Sequence, residues 1–203
     1  MTNIKTLYHY TNLAAAMNIV ETCEVWATDY RYLNDSGELQ YALDLLFERA
    51  GEYQSDFKKH IFYFLERSVI CVFSLSESPE ILSQWRSYAA DGAGVALGFS
   101  IESISELNPK KCFYKEEYID QIFEDIKTKL IKLIEIERFK PELYSHQYFY
   151  DFTTDHFDEY IEIVKMLMLL KNPAFSEEQE WRVVEVLDIS NPSVSGKLVG
   201  QDC

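Results

Sequence analysis

The chain has few of the residues that mark metal-binding or disulfide-rich proteins, with four cysteines, seven glycines and five prolines among 203 residues. The cysteines are widely spaced, contain no Cys-x-x-Cys pair and are not interleaved with the four histidines at the spacing of a zinc site. We therefore expect no structural metal and no metal cofactor. This cysteine usage fits a cytoplasmic protein.

Long apolar runs are also missing. The strongest candidate, residues 163–170, is interrupted by Lys165 and is far shorter than the roughly 18 to 20 residues that a membrane span needs. The N-terminus carries Lys5 with no apolar stretch behind it, so it does not resemble a signal peptide. We expect no membrane association and a cytoplasmic location.

Basic residues are outnumbered, because 19 Lys and Arg face 34 Asp and Glu and the formal net charge is -15. A surface this acidic repels phosphate backbones, which disfavours broad, nonspecific nucleic-acid binding through basic patches. A nucleic-acid substrate held locally and a basic partner protein both stay open. With 47% hydrophobic residues the chain can bury a substantial core, so residues 1–203 are predicted to form a single domain.

The order of periodic segments predicts an α+β fold. Long amphipathic helices dominate about residues 115–172, which we interpret as a helical insert, and the tail from about residue 189 is predicted to be loop-like. Before the insert, strands are predicted near 6–10, 25–28, 69–75 and 94–99, and helices near 13–22, 38–49, 57–66 and from Pro79.

Two glutamates precede the apolar segment 183–186. If Glu178 and Glu180 start one strand, their side chains point to the same side of the sheet, because side chains alternate along a strand. Like charges held that close cost free energy unless a cation, solvent or substrate compensates them, which is typical of a reactive site. The alternative is a solvated strand end, which is common in so acidic a chain.

Polar residues also end two other predicted strands. His9 lies at the exit of the first strand, and Ser74 and Ser76 share one face at the end of the strand near 69–75. The alternative for His9 is a hydrogen-bonded structural histidine. A purely structural protein would not need His9, Ser74 and Glu180 to converge.

The order His9, then Ser74 and Ser76, then Glu178 and Glu180 resembles the three-part signature of ADP-ribosyltransferases. The chain also resembles a bacterial family named domain of unknown function 2971, in six blocks that follow one another in order. These blocks are Leu7-Tyr8-His9-Tyr10-Thr11, Trp26 with Leu33-Asn34-Asp35, Cys71-Val72-Phe73-Ser74, Gln84-Trp85-Arg86-Ser87-Tyr88-Ala89, Gly94-Val95-Ala96-Leu97-Gly98-Phe99, and Lys171 with Phe175 and Glu178-Gln179-Glu180-Trp181-Arg182.

The transferase resemblance implies a split β-sheet core and transfer of ADP-ribose from NAD to a protein side chain or a nucleic-acid base. It implies that Glu180 stabilises the positive charge on the ribose and binds its 2′-hydroxyl, while Glu178 orients or deprotonates the nucleophile. His9 would hold the other ribose, and Ser74 or Ser76 would brace Glu180. A signature that begins with histidine usually has a tyrosine as its middle residue. Here the middle residues are Ser74 and Ser76, which are expected in a signature that begins with arginine, so the site combines features of both types.

Aromatic and basic residues would complete the NAD site. Tyr10 and Tyr88 would stack on the cationic nicotinamide ring, and Arg86 and Arg182 would receive the pyrophosphate or pair with acidic residues. The resemblance implies a bacterial toxin or antiviral defence effector with an antitoxin as a partner. An NAD hydrolase, a catalytically inactive nucleotide-binding regulator and a protein-interaction module stay open.

Overall fold

The computed structural model describes residues 4–33, 37–139 and 146–189, together with a strand at residues 197–199. Helices and an antiparallel sheet combine in an α+β fold, as predicted. The strands are β1 (Thr6–Thr11), β2 (Glu24–Trp26), β3 (Thr28–Asp29), β4 (Ser68–Ser76), β5 (Val95–Ser100), β6 (Lys110–Lys111), β7 (Glu180–Asp188) and β8 (Lys197–Val199). The helices are α1 (Leu13–Thr22), α2 (Glu38–Arg49), α3 (Gln54–Glu66), α4 (Leu82–Tyr88), α5 (Glu116–Arg138), α6 (His146–Asp155) and α7 (Phe157–Leu167).

The main sheet has the order β5-β1-β4-β7-β6, and β3 also pairs with β4. β4 and β7 are antiparallel along their whole length and end with Ser76 opposite Glu180. β1 pairs with β5 along its whole length but shares a single registered pair with β4, Tyr8 opposite Ser76. Three neighbouring strands, β1, β4 and β7, therefore meet in one cross-strand row at one end of the sheet.

Helices cover one face of the sheet and a smaller core covers the other. Because side chains alternate along a strand, β4 and β7 supply apolar residues to both sides. The helical core includes Val72 and Val184 and packs against α2, α3, α5 and α7. The smaller core includes Leu7 and Phe73 and packs against Ile19 of α1.

A buried polar network joins three of the helices in the larger core. His60 of α3 has no exposed surface, and its Nδ1 lies 2.5 Å from the hydroxyl of Tyr160 in α7. Its Nε2 lies 3.1 Å from the Glu137 carboxylate of α5, which also binds Lys59 at 2.5 Å. Burial would raise the pKa of Glu137, but the bonds to His60 and Lys59 lower it. A His60 ring that donates from Nε2 to Glu137 and accepts at Nδ1 from the Tyr160 hydroxyl satisfies every partner.

Three predicted elements differ from the structure. The strand predicted near residues 25–28 is two strands, Glu24–Trp26 and Thr28–Asp29, which pair in different sheets. The helix expected from Pro79 begins at Leu82, because Ile81 is extended and the Pro79 carbonyl accepts a hydrogen bond from the Trp85 indole. Within the tail that was predicted to be loop-like, Lys197–Val199 is a strand that pairs with β2. Asn34 and Asp35, which belong to the second sequence block, lie outside the described residues.

The interval predicted as a helical insert contains α5, α6 and α7. In the parts of the chain that the structure describes, no helix is both long and apolar enough to cross a membrane. The organisation as a single domain stays a prediction.

Candidate functional site

Glu178 and Glu180 do not lie on one strand, so the predicted reason for their proximity is wrong. Glu178 ends a 3₁₀ helix, Pro173–Glu178, and β7 begins only at Glu180. Between them Gln179 takes a left-handed conformation with φ of 46°, which turns the chain into the strand. Both carboxylates are buried and meet at one ammonium group.

That ammonium group belongs to Lys171, a buried residue between α7 and the 3₁₀ helix. Its Nζ lies 2.5 Å from Oε2 of Glu178 and 2.5 Å from Oε2 of Glu180. A third carboxylate, Glu38 at the start of α2, approaches Nζ at 2.8 Å. Lys171 therefore joins two glutamates from the end of the chain to one near its beginning.

A second cation, Arg182, completes a charge cluster made of Glu38, Lys171, Glu178, Glu180 and Arg182. Its Nε and Nη2 donate to the two oxygens of Glu180 at 2.8 and 2.9 Å, and Nη2 also donates to Glu38. Its Nη1 donates to the Met168 carbonyl at 2.7 Å. The sequence left two roles open for Arg182, binding the pyrophosphate or pairing with acidic residues. In the structure Arg182 is paired with acidic residues.

The two catalytic candidates have opposite pKa shifts. Burial would raise the pKa of Glu180, but Arg182 and Lys171 outweigh it and lower the pKa to about 2. For Glu178 burial prevails over Lys171, and the pKa is raised. Burial would lower the pKa of Lys171, but the surrounding carboxylates raise it. Glu180 is therefore ionised at neutral pH, and Glu178 is the carboxylate of the pair that takes up a proton more readily.

The carboxylates of Glu38, Glu178 and Glu180 resemble a cation site, since one oxygen of each lies within 4.8 Å of the others. The same three carboxylates already bind the charged groups of Lys171 and Arg182. A divalent cation could bind there only by displacing the Lys171 ammonium. The chemistry of this donor set therefore favours an internal salt-bridge network.

Ser76 lies next to the charge cluster and Ser74 two residues before it. Ser76 faces the same side of the sheet as Glu180, directly opposite it, and its hydroxyl donates to the Glu178 carbonyl at 2.7 Å. Ser76 thus fixes the turn between the glutamates rather than the Glu180 carboxylate itself. Ser74 lies opposite Arg182.

His9 is not brought to the charge cluster. Tyr8 shares a row with Ser76 and Glu180, so the next side chain along β1, His9, points to the opposite face. There its ring packs against Phe73 with centroids 4.5 Å apart, and its Nδ1 donates to the Ser74 carbonyl at 2.9 Å. Burial lowers the pKa of His9, although the bond to Ser74 opposes this. The structural interpretation of His9 fits these contacts.

Tyr10 is also committed to structural contacts. Its hydroxyl donates to the Ser78 carbonyl at 2.7 Å and accepts from the Ile81 amide at 3.1 Å. Its ring packs edge-on against Trp85. Tyr10 therefore holds the segment that leads into α4, and its hydroxyl hydrogen is used within the protein.

Two candidates on α4 are accessible. Arg86 is exposed and forms no ion pair or side-chain hydrogen bond within the described residues. Tyr88 is 37% exposed, and burial together with Glu178 and Glu180 raises its pKa to about 12. The charges of both glutamates therefore reach Tyr88 at the end of α4.

The sequence interpretation missed Lys171 and Glu38 as members of the site, and also Tyr114. The Tyr114 hydroxyl accepts a hydrogen bond from the Glu180 amide at 3.0 Å. The sequence does carry a signal for the pairing of Arg182 with Glu180. The two residues are two positions apart on one strand, so their side chains share a face of the sheet. Glu38 carries no such signal, because only the packing of α2 brings it to the site.

The structure is thus an α+β protein with a buried charge cluster at one end of an antiparallel sheet. Residues 84–183 match a family model described as "Protein of unknown function (DUF2971)". The predicted resemblance to this family is therefore confirmed, and the match covers the last three of the six sequence blocks. The matched segment contains Lys171, Glu178, Glu180 and Arg182, whereas Glu38 lies before it. No curated protein and no solved structure matches the chain.

Proposed function

We propose that the protein transfers ADP-ribose from NAD to a nucleophile, with Glu180 at the reacting centre. The observation that carries the proposal is the adjacency of β1, β4 and β7, with Ser76 directly opposite Glu180. These are the strands whose residues resemble the transferase signature. The single registered pair between β1 and β4 further supports a split-sheet core.

The proposed reaction breaks the bond between nicotinamide and ribose C1′, and the electron pair leaves with nicotinamide. The nucleophile forms a new bond to C1′ and releases its proton. Positive charge develops on the ribose, so the site needs a carboxylate that is ionised at neutral pH. Glu180 meets this need because Arg182 and Lys171 lower its pKa to about 2. Glu178, whose pKa is raised, is suited to accept the proton.

Lys171 and Arg182 act in this proposal as positioning residues. Three of about four acceptor positions of the Glu180 carboxylate are used by these cations, which leaves one for a ribose hydroxyl. Tyr88 offers an aromatic face to nicotinamide, and Arg86 offers an unpaired charge to the pyrophosphate. His9 and Tyr10 support β1 and α4 and do not touch NAD.

The test is incubation of the protein with NAD labelled on its adenine and a bacterial lysate, followed by protease or nuclease treatment. We expect label transfer that falls about 10²- to 10³-fold in Glu180→Gln, the size of effect that loss of a key electrostatic group produces. Glu178→Gln should lose transfer more than nicotinamide release. Glu162→Gln on the surface of α7 is the matched control. Absence of both label and nicotinamide release with the wild type would refute the proposal.

The treatment that releases the label identifies the acceptor as protein or nucleic acid. Nicotinamide release without labelled macromolecule would indicate an NAD hydrolase. The role as a toxin or antiviral effector, the antitoxin and the cytoplasmic location stay predictions of the sequence.

One observation favours a second candidate, a catalytically inactive nucleotide-binding regulator. Glu180 is salt-bridged to two cations, which is the usual state of a buried structural carboxylate. This candidate predicts saturable NAD binding by calorimetry, with no nicotinamide release and no effect of Glu180→Gln on reaction products.

A further inference from the structure

A cavity of about 520 Å³ opens on the β6 side of Glu180, between β6, the beginning of α5 and the 3₁₀ helix that precedes β7. The proposed NAD contacts lie towards β4 and α4, on the other side of β7. The Cys112 amide donates to the Glu180 carbonyl at 2.9 Å, so the cavity wall is joined directly to the first residue of β7.

The cavity lining has a charge opposite to that of the whole chain. It includes Lys111 and Lys115 and no carboxylate among the described residues, although the chain has a net charge of -15. Lys111 forms an ion pair with Glu77 at 2.5 Å. The Lys115 ammonium has no hydrogen bond or ion pair with any part of the chain that the structure describes. The cavity is thus suited to an anionic group.

Aromatic rings form another part of the lining. Phe113 and Tyr118 contact each other with centroids 6.2 Å apart, and Tyr118 is 45% exposed. An exposed aromatic face beside lysines is the arrangement that stacks a base and binds its phosphate. The cavity therefore offers contacts for both the base and the phosphate of a nucleotide.

Tyr114 connects the cavity to Glu180. Its hydroxyl accepts the Glu180 amide hydrogen at 3.0 Å, and burial raises its pKa, so the hydroxyl keeps its own proton. Within the described contacts that proton has no acceptor, and Tyr114 lines the cavity. A ligand there could accept this hydrogen bond.

We infer that this cavity binds a nucleoside 5′-phosphate, with the base on Tyr118 and the phosphate on Lys115. Under the proposed function it is the acceptor subsite, which presents a base to the ribose held by Glu180 from the other side of β7. Only this role as an acceptor subsite rests on the proposed function.

Guanosine 5′-monophosphate is the probe, because its base does not occur in NAD, and guanosine and inorganic phosphate serve as half-probes. Binding is followed by the amide shifts of Lys115, Tyr118 and Gln179 in the ¹⁵N-labelled protein. We expect Lys115→Ala to weaken binding of the monophosphate about tenfold and to leave guanosine binding unchanged, since a charge-assisted contact is lost. Tyr118→Leu should weaken the binding of the monophosphate and the binding of guanosine alike, each about fivefold or more.

Lys132→Ala is the matched control, since it removes a lysine from α5, the helix that Lys115 caps, but far from the cavity. Arg86→Ala, at the proposed NAD contact, should leave monophosphate binding unchanged. The inference is overturned if no saturable binding appears up to about 10 mM, or if Lys115→Ala and Tyr118→Leu bind like the wild type.

The two proposals fail separately. Monophosphate binding with these variant effects, but without nicotinamide release from NAD, would support the inference about the cavity and refute the transferase proposal. Nicotinamide release without monophosphate binding would refute only the inference about the cavity.

Discussion

At the scale of single residues, the charge cluster depends on the balance of charge among five ionisable groups, four of them buried and Glu38 partly buried. Two cations and three carboxylates leave one excess negative charge when all are ionised, and Glu178 is the member whose raised pKa relieves it. Buried ion pairs contribute little net stability compared with apolar packing, but removing one partner leaves the other uncompensated. The cluster is therefore sensitive to any single substitution.

Lys171→Met should lower the free energy of unfolding by about 3 to 5 kcal/mol, because three carboxylates would then share Arg182 alone. The measurement is urea unfolding followed by circular dichroism. Adding Glu178→Gln to Lys171→Met should recover part of the loss, because one stranded charge is removed with its partner.

The control is Lys129→Met, which breaks the exposed ion pair with Glu162 and should cost less than about 1 kcal/mol. Similar losses for Lys171→Met and Lys129→Met would contradict a buried, mutually dependent cluster.

The sequence was informative about this site only where the partners are close in the chain. The closeness of Glu178 and Glu180 was predicted, but from a strand that begins two residues later than assumed. Gln179 carries no signal for its left-handed turn, which is usually marked by glycine or asparagine. Lys171 was noted as part of a family block, yet nothing local indicates that it is buried among carboxylates.

At the scale of elements, the network of His60, Glu137 and Tyr160 ties α3, α5 and α7 together. Tyr160→Phe should lower the free energy of unfolding by about 1 to 3 kcal/mol, because Nδ1 of His60 loses its donor in a buried site. The measurement is thermal and urea unfolding. Tyr32→Phe, at a tyrosine that is 79% exposed, should be neutral, and an equal loss in both variants would contradict the role of the network.

Helix positions followed well from apolar spacing, and residues 38–49 and the long helix in the predicted insert are helical. The beginning of α4 could not be predicted in this way, because proline suits a first helical turn and also an extended segment. Long-range contacts decided this case, since Tyr10 binds both Ser78 and Ile81 and holds the chain extended.

At the scale of the whole molecule, buried carboxylates set the response to acid. Glu180 has a folded-state pKa of about 2, below its ordinary value, so its stabilising contribution is present above about pH 4.5 and is lost as the pH falls towards 2. We expect Glu180 to account for about 2 kcal/mol of the stability that the protein loses between about pH 6 and about pH 3.

Urea unfolding across this pH range checks the expectation. Glu180→Gln should show a correspondingly smaller loss, whereas Glu162→Gln should keep the loss of the wild type. The raised pKa of Glu178 acts in the opposite direction, because its protonation in acid favours the folded state. An unchanged pH dependence in Glu180→Gln would refute the low pKa of Glu180.

The central pair of the sheet, β4 and β7, has a consequence for synthesis on the ribosome. α5, α6 and α7 lie between these strands in the chain. β4 therefore cannot pair with β7 until all three helices have been synthesised. Glu38 likewise emerges long before Lys171, Glu180 and Arg182. A nascent chain therefore has no assembled charge cluster, and any activity that depends on it begins only after residue 182 has left the exit tunnel.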